Sequence, residues 1–169
     1  TVVPSRFPLT SINFVLKGGE PNQLQFWIHF TDNAQTKDYY ALKVERKRQF
    51  WNDSKYSVEN SSLTLNLDDE PLLNTSLGLD DILMIENEFY RNLYYWDDTK
   101  IQGKSYKVRL NTNYEADYED DFITPDGVEH IKCQVKYRIS LYSLSEEFYR
   151  YLKSLNDQKN NGLGNSELA

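Results

Sequence analysis

The chain has 169 residues, the size of one domain, with 26 acidic against 19 basic side chains and a formal net charge of −7. Aromatic residues make up 14% of it, enough apolar surface to furnish a core, which excludes disorder over most of its length. The acidic balance also argues against nucleic acid as a partner, because phosphate binding needs a basic face.

Period-two alternation dominates from the start. Residues 12–16 predict a strand that turns through Gly18-Gly19-Glu20-Pro21-Asn22 into a second one. There Leu24, Phe26, Ile28 and Phe30 form an apolar face against Gln23, Gln25, Trp27 and His29. Tyr40, Leu42 and Val44 continue the pattern. In the dense basic cluster that follows (Lys43, Arg46, Lys47, Arg48), alternation puts Lys43, Glu45 and Lys47 together on a solvated strand face. Leu63, Leu65 and Leu67 predict a short strand ending at Asp68-Asp69-Glu70-Pro71. Residues 79–88 fit a helical turn or a strand equally. An aromatic stretch with Phe89, Tyr90, Tyr94, Tyr95 and Trp96 comes next, and Tyr106, Val108 and Leu110 predict another strand.

The clearest strand covers residues 131–141. Its odd positions are apolar, and Lys132, Gln134, Lys136, Arg138 and Ser140 occupy the other face, so a one-residue slip would bury three cations. The single cysteine, Cys133, points inward with the apolar set as an inert thiol and leaves no partner for an internal disulfide. The period then changes. Leu144, Phe148, Tyr151, Leu152 and Leu155 follow helical spacing, Ser143 stands three residues before Glu146 as in a capping box, and each of the five side chains is worth roughly 1.5–3 kcal/mol if buried. Residues 156–169 are polar and read as a loop or tail. The sum is one mainly β domain over residues 1–169, an immunoglobulin- or fibronectin-like β-sandwich with one C-terminal amphipathic helix.

Motifs for catalysis are sparse: there is no Gly-x-Ser-x-Gly elbow, phosphate-cradling loop or His-Glu-x-x-His. His29 and His130 stand apart from any metal-ligand spacing. The acidic run Tyr114-Glu115-Ala116-Asp117-Tyr118-Glu119-Asp120-Asp121 is the best candidate for a cation. Glu115, Asp117, Glu119 and Asp121 could offer calcium its oxygens from a loop, although the EF-hand pattern fails at Phe122, and a solvated loop is the plainer reading. Trp51, Tyr90, Tyr94, Tyr95 and Trp96, with Tyr56, form either an exposed platform for a ligand or partner, or core filling, and the core is favoured. No apolar run is long enough to span a bilayer and no secretory signal precedes Thr1, so the chain reads as a mature or trimmed piece.

Three segments in order carry a family resemblance. They are Phe30-Thr31-Asp32 with Asp38-Tyr39-Tyr40-Ala41-Leu42, then Asp97-Asp98-Thr99-Lys100-Ile101-Gln102-Gly103-Lys104-Ser105-Tyr106, then Leu141-Tyr142-Ser143-Leu144-Ser145-Glu146-Glu147-Phe148-Tyr149-Arg150-Tyr151-Leu152-Lys153-Ser154-Leu155. Together they resemble the C-terminal half of domain-of-unknown-function family 4249, found in Bacteroidota. The resemblance implies a secreted lipoprotein, held at the outer membrane by a lipid anchor outside this chain. It also implies an N-terminal immunoglobulin-like domain and a gene beside a TonB-dependent outer-membrane receptor. It carries over no catalytic residue. The family's pattern goes on past Ala169 into a further apolar strand, which leaves a sheet edge open.

The expected function is therefore a non-catalytic binding or accessory module, working with a TonB-dependent receptor in nutrient capture at the cell surface. The alternatives are a surface glycan hydrolase, with Asp117 and Glu119 among its acid and base, and a purely structural β module.

Overall fold

The computed structural model describes residues 4–18, 22–53, 55–73 and 92–165, with side chains as far as residue 157. The ambiguous stretch 79–88 and Tyr90 lie outside the described residues. Two antiparallel sheets and one helix make up the fold, the mainly β sandwich with a C-terminal helix that the alternation predicts.

β2 (Ser11–Lys17), β3 (Gln23–Thr31) and β7 (Ser105–Asn113) form the small sheet in the order β2-β3-β7. The large sheet is built on two long strands, β4 (Tyr39–Asn52) and β9 (Gly127–Leu144), paired without a slip from Tyr39↔Leu144 to Asn52↔Ile131. On its free side β4 takes β6 (Tyr94–Asp97) near its start and β5 (Lys55–Ser62) near its end. β9 takes β8 (Tyr118–Thr124) near its start and β1 (Ser5–Arg6) near its end. The large sheet thus has a lower tier, β1-β9-β4-β6, and an upper tier, β8-β9-β4-β5.

The main core lies between the sheets at the lower tier. Phe26, Ile28 and Phe30 of β3 and Val108 and Leu110 of β7 meet Tyr40, Leu42, Val44, Trp96 and Leu141. Ring pairs bind the layers, with Phe30 edge-on to Tyr40 at 5.2 Å and Phe7 edge-on to Tyr40 at 5.1 Å. Residues 63–67 are not the ladder strand their alternation predicts. They cross between sheets: the Leu63 N–H donates to Val44 of the large sheet, and Asn66 bridges to Asn111 of the small one. Their leucines fill the core all the same, because alternation records which side is dry and not which backbone is paired.

α1 (Glu146–Asn165) covers the outer face of the lower tier and makes a third layer. Leu152 is fully buried there with Ala41, Leu93, Tyr95, Tyr142 and Leu144. The N-cap is Ser145, whose Oγ accepts the Phe148 N–H at 3.2 Å, and not Ser143, which β9 holds as strand. The helix also runs ten residues past 155, to Asn165, where a polar loop is expected. Once Phe148, Leu152 and the buried Asn156 anchor it to the sheet, adding further turns costs little per residue, even with Gly162 and Gly164.

Candidate binding surfaces

The first two of the resemblance-bearing segments converge on one spot. Asp32 follows β3, Asp38 precedes β4 and Asp98 opens a single 3-10 turn after β6, and oxygens of the three carboxylates lie within 4.8 Å of one another. Tyr40 Oη donates to Asp32 Oδ1, and the Gly103 N–H donates to Asp32 Oδ2 at 2.7 Å. Lys37 Nζ donates to Asp98 Oδ1, the Asp38 N–H to Asp98 Oδ2 at 2.7 Å, and Thr36 Oγ1 to Asp38 Oδ2 at 2.7 Å. Hard oxygens of this kind suit calcium in chemistry. Here, however, both oxygens of Asp32 and of Asp98 already accept from the protein, and Lys37 supplies the positive charge. Partial burial pulls the Lys37 ammonium down, but its bond to Asp98 and the charges of Asp97 and Asp98 hold its pKa above the usual value. The arrangement is a clasp that ties the 32–38 loop to the 98–104 turn. Gly103 is forced there: its φ is +68°, and a Cβ would meet Ala34 Cβ at 2.7 Å.

The four carboxylates expected to gather in an acidic loop are dispersed, because half of that run is strand. Glu115 bonds Arg48 Nε at 2.7 Å and Arg46 at 2.8 Å, and Asp117 Oδ1 accepts the Val135 N–H at 2.7 Å. Glu119 and Asp121 lie on β8 and hold the His130 ring between them at 2.8 and 2.6 Å. Those two bonds raise the His130 pKa above its ordinary value. Arg46 and Arg48 therefore leave the basic cluster for the inner face, while Lys43, Glu45 and Lys47 share the outer one as alternation predicts. Cys133 is buried, and burial pushes its thiol pKa up.

The aromatic platform dissolves in the same way. Tyr94, Tyr95 and Trp96 of β6 are all buried, since the small sheet covers one face of the lower tier and α1 the other. Trp51 remains half-exposed on the upper tier, 5.4 Å from the Tyr56 ring.

Among the described residues two open surfaces stand out, and the sequence does not show how either is assembled, because each is made by strands distant in the chain. The first is a flank of the sandwich. β2 carries Ile12, Phe14 and Leu16 opposite Ile28, Phe26 and Leu24, on the core side of the small sheet, yet Phe14 is 67% and Leu16 52% exposed. β2 has no strand on its other edge among the described residues, and neither do residues 134–140 of β9, between β8 and β1. Between these edges runs a groove of about 590 Å³, with Phe26 and Tyr137 meeting edge-on at 5.5 Å and Glu115 and Asp117 at its mouth.

The second surface is the outer face of the upper tier, beyond α1. Across the β4–β9 ladder Glu45 faces Arg138, Lys47 faces Lys136, Gln49 faces Gln134 and Trp51 faces Lys132. Like charges directly opposite cost roughly 0.2–1 kcal/mol. Among the described residues the side chains of Lys47, Lys136 and Arg138 make no ion pair, and Glu45, the acid between them, is 3.9 Å from Lys43. Glu45, Lys47, Lys136 and Arg138, with Asn60 and Tyr137, line a depression of about 620 Å³.

Fold and surfaces together define a helix-backed β-sandwich in which a flank and the outer face of the upper tier stand open among the described residues. A search of curated proteins and one of solved structures find no match. The model of a protein family, the domain of unknown function DUF4249, matches residues 1–167, and the chain belongs to that family.

Proposed function

We propose that the chain is a non-catalytic recognition module of a cell-surface lipoprotein and that it works beside a TonB-dependent outer-membrane receptor in nutrient capture. The observation that carries recognition is the open flank: an edge strand that turns its apolar side chains to solvent beside an unfilled groove. Sheet edges are ordinarily blunted by charge, proline or a cover. An extended segment of the receptor, added as a strand along β2, supplies the missing pairing and lays alternate apolar side chains over Ile12, Phe14 and Leu16. Asp117 has no basic partner among the described residues, so the segment carries a Lys or Arg at the groove mouth. The receptor itself is supported by the resemblance of the three motif segments.

The test is affinity capture of the intact lipoprotein from outer membranes, wild type against Phe14→Lys. We expect recovery of a TonB-dependent receptor to fall at least tenfold in the variant, with an unchanged circular-dichroism spectrum. Equal recovery from both proteins removes the flank from the interface, and absence of the receptor from both removes the partner.

A further inference from the structure

We propose that the outer face of the upper tier of the large sheet binds an acidic oligosaccharide. Lys47, Lys136 and Arg138 project from adjacent rungs of one ladder and form no ion pair among the described residues; Glu45, which faces Arg138, offsets only part of their charge. In a chain of net charge −7 such a grouping concentrates positive potential in one place, and the depression it lines gives an anion a seat. Charge complementarity alone would fit any small anion. The next rungs narrow the class.

Gln49 and Gln134 face each other one step along, followed by the Trp51–Tyr56 pair, with Tyr56 54% exposed. The Gln134 amide offers a donor and an acceptor to hydroxyl groups, whereas Gln49 Nε2 already donates to Tyr56 Oη at 2.7 Å and its Oε1 is buried; the open aromatic rings offer a face to the apolar side of a sugar ring. Four residues of strand separate Lys47 from Trp51, roughly 13 Å at the usual rise. A ligand that touches both is longer than one sugar ring. Its length is bounded too: Glu119 and Asp121, on the same outer face beyond Lys132, would repel a long polyanion such as a nucleic acid. The ligand is thus a short oligosaccharide that bears carboxylate or sulfate groups at the Lys47–Lys136–Arg138 end and stacks on Trp51 at the other.

Isothermal titration of the whole chain tests this with a galacturonate hexamer, a heparin-derived hexasaccharide, maltohexaose, inorganic phosphate and phosphatidylglycerol vesicles. We expect at least one acidic hexasaccharide to bind, the successful one identifying carboxylate or sulfate as the acid group, and neither maltohexaose nor phosphate to approach its affinity. Lys136→Glu should weaken that binding at least tenfold and Trp51→Ala at least fivefold. Lys136→Gln, which relieves the like-charge pair, should weaken binding without lowering the melting temperature. Failure of both acidic hexasaccharides, binding that ignores Lys136→Glu, or binding confined to vesicles or phosphate overturns the proposal. None of these outcomes depends on the flank beside β2.

Discussion

Truncating Leu152 measures how firmly α1 belongs to the sandwich. The side chain is fully buried on the outer face of the lower tier, against Ala41, Leu93, Tyr95, Tyr142 and Leu144. Leu152→Ala removes apolar volume worth roughly 2.4 kcal/mol at about 0.8 kcal/mol per methylene-sized group. The backbone is tied to the sheet at Leu152 itself, which limits collapse into the space. Tyr95 Oη donates to the Leu152 carbonyl at 3.3 Å, and burial, with Asp157 nearby, pushes that phenol's pKa up to about 12, so it stays a neutral donor. A residual cavity adds its own term, and we expect a total of about 3–4 kcal/mol. For a domain of this size that is a fall in melting temperature of roughly 6–16 °C. Urea denaturation followed by tryptophan fluorescence reads the stability, with the exposed neighbour Lys153→Ala as control, for which about 0.5 kcal/mol or less is expected. If Leu152→Ala and Lys153→Ala lose the same small amount, the helix is not packed on the sheet and the three-layer description fails.

The carboxylate clasp gives two more expectations. Asp32→Ala strips the acceptor from the buried Tyr40 hydroxyl and from the Gly103 N–H, and should cost roughly 2–5 kcal/mol in urea, clearly more than Asp32→Asn, which keeps an acceptor oxygen. Equal losses would mean that the carboxylate is not what ties the turn. Gly103→Ala should cost more than about 1 kcal/mol, since the left-handed backbone and the Ala34 contact both oppose a side chain, and an unchanged denaturation midpoint would contradict that geometry. His130 titrates above its ordinary value because Asp121 and Glu119 hold its charged form. Its contribution is therefore complete below the unfolded pKa of about 6.5 and disappears as pH rises through the higher folded value. In an NMR titration the His130 midpoint should lie above 6.5 and fall in Asp121→Asn; a native midpoint at or below 6.5 would show that the two carboxylates do not grip the ring.

Much of this fold is legible in the chain wherever one face of a strand is wet and the other dry. β3 alternates cleanly because Leu24, Phe26, Ile28 and Phe30 meet the core while Trp27 and His29 stay half-exposed, and β9 from Ile131 to Leu141 follows the same logic. The signal fails where that asymmetry vanishes. β6 is buried on both faces, so Tyr94, Tyr95 and Trp96 carry no alternation, and the sequence favours core filling over a platform without showing a strand there. β8 is the opposite case: it is exposed from Tyr118 to Ile123, and its acids look like a loop. The partnership of Arg46 and Arg48 with Glu115 spans more than sixty positions of sequence, a distance at which composition says nothing of pairing. Both open surfaces are invisible for the same reason, since each is assembled from β2 or β4 and the remote β9.

β4 and β9 pass through both tiers, so the two tiers share one unbroken seam. A pull that slides β4 past β9 along the strand direction loads the bonds of that seam in parallel, from Tyr39↔Leu144 to Asn52↔Ile131. Rupture then requires them to give way almost together. The same pull turned across the strands would open them one after another like a zip. The seam therefore resists sliding of β4 past β9 far better than it resists peeling the two strands apart.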